Sequence, residues 1–362
     1  MLTFYKNYFW IGFIFLSVFS QDLSAQIYVN QEWESITALP DTTVKWSAST
    51  LDPSENLIVC GNTLVTNEGV NVLITKYDRE GVKLWEVDYH YDANSNEYGI
   101  AVTTDESGNI FVASALFTGT VPESDYLILK YNSVANFQWD EIFDGSGSGN
   151  DLPSSITLDS EGNVYVTGTS EGTNTGYDIF TIKLDGNGVS RWSARYDRDS
   201  LDDGGVQIQV DSNGESTIIG GSGEATNDWD YVTLQYDSDG NLNEEEIVLN
   251  PGFGFDKPSA MVKDHNGNIY ITGSSSEDDI NYNIQTVKLD TSFQVVWTKT
   301  YGGSSDDGAF AIDVDASGNI YLGGYTTVSG QVRYTIIKYS SDEISFGKES
   351  GKYWKSYRFD SE

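Results

Sequence analysis

One series of acidic residues in this chain has the regular spacing of a repeated chemical site. Each member stands eight residues before an aspartate that opens a turn: Glu97, Asp151, Asp203, Asp256, Asp307. Carboxylates gathered in this way could bind a cation, with Ca²⁺ as the candidate ion, or hydrogen-bond a polar ligand. They could instead cap turns by accepting backbone N–H bonds. We favour turn caps, because a binding site on a repeat scaffold usually breaks the repeat symmetry.

Four aromatic residues form a second candidate binding group. Most of the 23 tyrosines and 9 tryptophans fall in strand-like segments, where they should pack between or along strands. The exceptions fall in segments of variable sequence: Tyr177, Trp229, Tyr282, Tyr325. Because sugar-binding surfaces use aromatic faces, these residues are candidates for contact with a glycan or another ligand.

Few residues could support catalysis. The only histidines are His90 and His265, so neither a Ser-His-Asp triad nor a histidine-ligated metal is expected. Turns such as "DSDGN" fail the EF-hand test, because glycine stands at the fourth position rather than the sixth. A carboxylate pair for glycoside hydrolysis stays open, since the chain has 55 acidic residues and the required separation is spatial.

The chain consists of six copies of one repeat. The turn aspartates recur every 51 to 54 residues, at Asp52, Asp105, Asp159, Asp211, Asp264 and Asp315. A lysine keeps the same period, at Lys76, Lys130, Lys183, Lys288 and Lys338, with Gln235 in the fourth copy. A tryptophan follows nine residues later at Trp85, Trp139, Trp192 and Trp297, with Asn243 marking the fourth copy as divergent. Such a period indicates a repeat architecture.

Each copy contains four segments that alternate with period two, bounded by Gly, Asp, Asn and Ser, which is typical of strands. In the fifth copy we place them at about 260–264, 268–274, 282–289 and 294–301. Four short strands cannot bury both faces of their sheet, so neighbouring copies must stack. The sequence therefore predicts an all-β fold, a six-bladed β-propeller of four-stranded antiparallel blades.

The repeat resembles the bacterial SBBP-type β-propeller repeat found in exported proteins. The best match is "WTKTYGGSSDDGAFAIDVDASGNIYLGGYT", residues 297–326, and the resemblance covers about residues 33–340. The fourth copy departs from it with "SNGESTIIGG". The resemblance implies the architecture and export, but no particular activity.

The ring needs one more strand, because the sixth copy lacks a tryptophan nine residues after Lys338. The segment around Trp33 has the spacing of a fourth strand, and we predict that it closes the ring. The alternative is that Phe346 or Trp354 supplies that strand.

The two ends of the chain differ from the repeats. Residues 1–25 read as a signal peptide, with Lys6 before an apolar run at 9–19 that is too short for a membrane span. Residues 26–345 form the predicted propeller, and 346–362 form an atypical basic tail, for which truncation of the chain is one interpretation. We expect a secreted or cell-surface monomer without a membrane span. No disulfide can form within the chain, because Cys60 is the only cysteine.

Charge and loop lengths restrict the function. The net charge of −35 disfavours nucleic acid as a partner. The connections between second and third strands vary in sequence, at roughly 115–124, 169–177, 221–230 and 274–282, and share a face with the connections between copies. Our leading hypothesis is a non-enzymatic scaffold that binds a ligand, glycan or protein through this face. The alternatives are a carbohydrate-active enzyme and a purely structural or adhesion module.

Overall fold

The computed structural model describes residues 44–119, 123–146, 149–225, 228–248, 254–276 and 280–340. These residues form 23 strands and no helix. Accordingly, no helix that could cross a membrane is found in the described part of the chain.

The strands group by sequence into six sheets, which we call blades 1 to 6. Blade 1 contains β1 (Val44–Leu51), β2 (Leu57–Val65), β3 (Gly69–Tyr77) and β4 (Lys83–Tyr89). Blade 2 contains β5 (Ser95–Thr104), β6 (Ile110–Thr118), β7 (Ser124–Tyr131) and β8 (Phe137–Phe143). Blade 3 contains β9 (Asp151–Leu158), β10 (Val164–Gly172), β11 (Gly176–Leu184) and β12 (Ser190–Tyr196).

The second half repeats this order. Blade 4 contains β13 (Asp203–Val210), β14 (Ser216–Ala225), β15 (Asp228–Tyr236) and β16 (Leu242–Val248). Blade 5 contains β17 (Lys257–Lys263), β18 (Ile269–Ser275), β19 (Asn283–Leu289) and β20 (Val295–Tyr301). Blade 6 contains β21 (Gly308–Val314), β22 (Ile320–Val328) and β23 (Gln331–Tyr339).

Within each blade the strands pair antiparallel in sequence order, and the first strand packs against the preceding blade. The prediction of six antiparallel blades is confirmed, with four strands in five blades and three described strands in the sixth. The strands predicted for the fifth copy match β17 to β20 to within three residues at each end. One sequence alignment was wrong: Glu244, not Asn243, stands opposite Gln235, where Trp192 faces Lys183 in blade 3.

The repeated turn aspartates organise the turn between the first and second strands. In the second copy, Asp105 Oδ1 accepts the backbone N–H of Ser107 at 2.9 Å and of Asn109 at 2.8 Å. Its Oδ2 accepts the side-chain amide of Asn109 at 2.7 Å. Gly108 adopts a φ of 76°, which a residue with a Cβ takes at some cost. The expectation that this sequence forms a turn with glycine at positive φ is confirmed.

The repeated lysines and tryptophans join neighbouring blades. Lys130 Nζ donates to the Gly186 carbonyl of the next blade at 2.6 Å, and Trp139 Nε1 donates to the same oxygen at 3.3 Å. One junction further on, Lys183 and Trp192 both donate to the Ser238 carbonyl, at 3.3 and 3.1 Å. At these two junctions the lysine and the tryptophan recur with the same period because both side chains donate to the same carbonyl oxygen.

The junction between blades 4 and 5 uses different bonds, because Gln235 and Glu244 replace the lysine and tryptophan. Gln207 Oε1 accepts the backbone N–H of Met261 at 2.7 Å, and Gln209 Nε2 donates to the Met261 carbonyl at 3.2 Å. These bonds lie on the first strands of the two blades rather than on the third and fourth.

The array of blades is open in the described residues. β23 has no described partner on its outer edge, and Ile336 on this strand is 68% exposed. The equivalent positions in blades 1 to 5 are fully buried, at Ile74, Ile128, Thr181, Thr233 and Thr286. The segments expected to close the ring, around Trp33 and at Phe346 or Trp354, lie outside the described residues, as do the signal peptide and the tail.

Candidate functional site

The connections between second and third strands meet the connections between blades on one side of the molecule, which we call the loop face. In blade 4, Trp229 forms a parallel bridge with Phe255 of the connector to blade 5. In blade 2, Ser124 forms the same bridge with Asn150 of the connector to blade 3. The expected shared face is therefore present.

The acidic series is buried beneath the loop face. Its members are at most 2% exposed: Glu97, Asp151, Asp203, Asp256, Asp307. Backbone N–H groups donate to the four aspartates, from Gly145, Arg198, Ser276 and Gly303 in chain order. Glu97 lies 3.4 Å from His90 through Oε2 and Nδ1. These bonds agree with turn capping, and ligand binding by the series stays a prediction.

At two junctions the buried aspartate joins two further carboxylates. Between blades 2 and 3, Asp125, Asp144 and Asp151 each place a carboxylate oxygen within 4.8 Å of the other two. We call this group triad A. Between blades 3 and 4 the same arrangement recurs as triad B: Asp178, Asp197 and Asp203.

Sequence reasoning missed two positions of these triads. Asp125 and Asp178 each stand five residues before the repeated lysine of the third strand, and Asp144 and Asp197 each stand five residues after the repeated tryptophan. Asparagine takes the third-strand position in blades 1 and 5, at Asn71 and Asn283. Comparing every copy at these two offsets would have found the pattern.

In both triads, burial and the neighbouring negative charges raise the pKa of a carboxyl group. Burial, together with the charges of Asp144 and Asp151, raises the pKa of Asp125 to about 6. Burial also raises the pKa of Asp203 to about 6, with Asp178 adding to the shift. Both shifts have the sign expected when like charges share a site shielded from water.

Three of the four candidate aromatic residues occupy one repeat position. Tyr177, Trp229 and Tyr282 each stand six residues before the third-strand lysine or its substitute, in blades 3, 4 and 5. All three are partly exposed at the loop face. The expectation that the four residues lie in loops was wrong for three of them, because Tyr177 and Trp229 are the second residues of β11 and β15 and Tyr325 lies within β22. Tyr325 also occupies a different repeat position, paired with Gly308 and stacked on Phe310 at 5.4 Å between ring centroids.

The connectors fix the backbone of these aromatic residues. The backbone N–H of Tyr177 donates to Asp202 Oδ1 at 3.0 Å, and that of Tyr282 donates to Asp306 Oδ1 at 3.1 Å. The backbone N–H of Trp229 donates instead to the Gly254 carbonyl at 3.2 Å. The three side chains are therefore presented from equivalent, hydrogen-bonded positions.

Glycines and a lysine complete the surroundings of the aromatic residues. The indole of Trp229 lies over Gly221, where a Cβ would stand 2.5 Å from Trp229 Cε3. The exposed Lys257 places Nζ 5.4 Å from the ring centre of Phe255 and 5.2 Å from that of Tyr282. Aromatic rings and one ammonium group thus follow each other from blade 3 to blade 5.

Comparisons with known proteins agree with the repeat. Residues 145–174 match the SBBP family model, described as a beta-propeller repeat. No curated protein matches the chain.

Three solved structures are similar at low identity. A protein of unknown function from Dyadobacter fermentans is 11% identical with a TM-score of 0.47, over 82% of this chain and 99% of that one. The β-propeller domain of the trilobed protease from Pyrococcus furiosus is 10% identical with a TM-score of 0.48, over 82% of each chain. A neuraminidase-like protein of subtype N11 from a flat-faced bat strain is 12% identical with a TM-score of 0.46, over 86% of this chain and 90% of that one. Similarities at this level carry no information about function.

Proposed function

Because the chain is an SBBP-type β-propeller repeat protein, we propose that it acts as an exported, non-enzymatic scaffold that binds a glycan through its loop face. Export is supported by the signal-peptide pattern of residues 1–25. Loops on a rigid scaffold are where such proteins usually carry binding function.

The observation that carries this proposal is the aromatic series Tyr177, Trp229 and Tyr282. A single exposed aromatic residue is common on any protein, but three at one repeat position of consecutive blades form a row. A sugar ring can lie on an aromatic face through its C–H groups while its hydroxyls bond to neighbouring polar groups. A row of such faces suits an oligosaccharide better than a single small ligand.

Charge favours a neutral or cationic glycan. The net charge of −35 repels polyanions, so sulfated or strongly acidic polymers are poor ligands. The acidic series lies beneath the surface at 2% exposure or less, where a sugar does not reach it without movement of the connectors. The aromatic row is therefore the accessible part of the face.

The test is to titrate the purified protein with a panel of neutral and amino-sugar oligosaccharides and to measure binding by tryptophan fluorescence and isothermal titration calorimetry. We expect Trp229→Ala and Tyr282→Ala each to weaken binding by tenfold or more. Trp229→Phe is the matched control, because it keeps an aromatic face and should retain most of the affinity. Thermal unfolding of all three variants shows whether the scaffold is intact.

Two outcomes would contradict the proposal. If no glycan binds the wild type, or if Trp229→Ala binds as tightly as Trp229→Phe, the aromatic row is not a sugar site. The hypothesis of a purely structural module is then favoured. Release of shortened oligosaccharides during the titration would instead favour the carbohydrate-active enzyme.

A further inference from the structure

Triad A has the composition of a site for a hard cation. All three side chains offer carboxylate oxygens, and none offers nitrogen or sulfur. Ca²⁺ takes six to eight oxygen ligands at about 2.4 Å, so two oxygens on opposite sides of the ion are about 4.8 Å apart. One oxygen each of Asp125, Asp144 and Asp151 lies within 4.8 Å of the other two, so the three carboxylates are close enough to share one ion.

An unpartnered oxygen at the triad indicates that a ligand is needed there. Asp151 is 1% exposed, and its Oδ2 accepts the Gly145 N–H at 2.5 Å. Its Oδ1 is buried without a hydrogen-bond partner among the described residues. A buried carboxylate oxygen without a partner is costly, and a cation coordinated to it would remove that cost.

In triad B, a positively charged side chain of the protein itself pairs with one of the carboxylates. Arg195 Nη1 lies 2.7 Å from Asp178 Oδ2, so a guanidinium neutralises part of that triad. The equivalent residue in blade 2, three after the repeated tryptophan, is Ile142. No ion pair involving Asp125, Asp144 or Asp151 is found in the described part of the chain. Arg195 is near enough for its charge to act on Asp151, but it forms its ion pair with Asp178 of triad B.

From these observations we propose that Asp125, Asp144 and Asp151 bind a Ca²⁺ ion at the junction of blades 2 and 3. The ion joins the third strand of one blade to the first strand of the next through the connector that carries Asp144. That connector also contains Asn150, whose Nδ2 donates to Tyr177 Oη at 3.3 Å. Because Asn150 directly precedes the ligand Asp151, the ion fixes the residue that contacts Tyr177, the first residue of the aromatic row, although its binding does not depend on any glycan.

The direct test uses the metal alone. Tb³⁺ replaces Ca²⁺ at oxygen sites and emits when a nearby tyrosine is excited, and Tyr126 and Tyr177 lie beside the triad in sequence or contact. After treatment with a chelator, the wild type should sensitise Tb³⁺ emission, and added Ca²⁺ should displace it. The double variant Asp125→Asn/Asp144→Asn should lose at least tenfold in Tb³⁺ affinity.

Asp92→Asn is the matched control, because it removes one charge from an exposed connector residue at the junction of blades 1 and 2, which has no triad. It should bind Tb³⁺ like the wild type. Thermal unfolding separates binding from folding: in chelator the double variant should unfold at the same temperature as the wild type or higher, since it has lost repulsion. Ca²⁺ should raise the midpoint of the wild type and of Asp92→Asn only.

The proposal is overturned if the double variant binds Tb³⁺ as the wild type does, or if millimolar Ca²⁺ leaves the wild-type midpoint unchanged. A glycan-binding failure with normal Tb³⁺ binding would affect the proposed function and leave the cation site standing.

Discussion

The buried ion pair between Asp52 and Lys76 should contribute measurably to the stability of blade 1. Lys76 Nζ lies 2.7 Å from Asp52 Oδ2, and both side chains are less than a tenth exposed. Burial alone would raise the pKa of Asp52, but hydrogen bonds from Asn56 and Lys76, together with the lysine charge, lower it from 3.8 to about 2. We therefore expect Asp52→Asn to destabilise the protein at neutral pH.

The size of the effect follows from that difference in pKa. A carboxyl whose pKa falls from 3.8 to about 2 on folding contributes about 2 kcal/mol to the free energy of unfolding when it is ionised in both states. Because the folded-state pKa is the lower one, the contribution is complete well above pH 3.8 and is lost as the pH falls towards 2. It should remain at about 2 kcal/mol from pH 7 to pH 5 and fall to roughly half of that at pH 3.

The assay is urea unfolding of the wild type and Asp52→Asn at pH 7, 5 and 3, monitored by tryptophan fluorescence. Asp78→Asn is the matched control, because Asp78 Oδ1 accepts the Val82 N–H at 2.7 Å in an exposed turn of the same blade. Asparagine keeps that acceptor, so the control should change the free energy of unfolding by no more than about 0.5 kcal/mol. The reasoning fails if Asp52→Asn is no more destabilising than the control, or if its effect is as large at pH 3 as at pH 7.

Three further substitutions test the packing of the blades and the loop face. Lys130→Met removes the 2.6 Å hydrogen bond to the Gly186 carbonyl and should lower the free energy of unfolding by about 1–3 kcal/mol. Lys83→Met is the control, because the Lys83 side chain is exposed and its replacement should leave the free energy of unfolding nearly unchanged. Gly221→Ala places a Cβ 2.5 Å from the Trp229 ring. It should shift tryptophan emission and weaken glycan binding more than Gly303→Ala, where the structure shows no neighbour within 4 Å of a Cβ. Gln207→Ala leaves the Met261 N–H without its 2.7 Å acceptor and should cost about 1–3 kcal/mol in chemical denaturation; a change below about 0.5 kcal/mol would show that this bond does not hold blades 4 and 5 together.

The sequence was sufficient for the blades because their signals are local and repeated. Alternation defined the strands, and the Asp-Gly turns located their ends, since both depend on residues a few positions apart. The roles of Lys130 and Trp139 could not be read in the same way, because their shared acceptor, Gly186, stands 56 and 47 residues later. The period showed that these residues matter, but only the packing of blades showed why.

The candidate site was harder to predict for a related reason. The acidic series was visible because each member has a fixed distance from its own turn. A triad combines two residues of one blade with one of the next, and Asp144 stands in a connector whose length varies between copies. The aromatic candidates also show the limit of the sequence, because Tyr177, Trp229 and Tyr325 stand in variable stretches but lie within strands.

The bonds between blades 4 and 5 give the array one joint unlike the others. At the two preceding junctions, Lys130 and Lys183 on the third strands, with the tryptophans on the fourth strands, donate hydrogen bonds to the turn between the third and fourth strands of the next blade. At this joint the lysine and tryptophan bonds are replaced by the glutamine bonds on the innermost strands and by a bond from Tyr231 Oη to the Ser274 carbonyl at 3.3 Å. Trp229 and Tyr282 stand on opposite sides of the joint, whereas Tyr177 and Trp229 span a conventional junction. A change in the angle of this joint would therefore alter the distance between Trp229 and Tyr282 and leave that between Tyr177 and Trp229 unchanged.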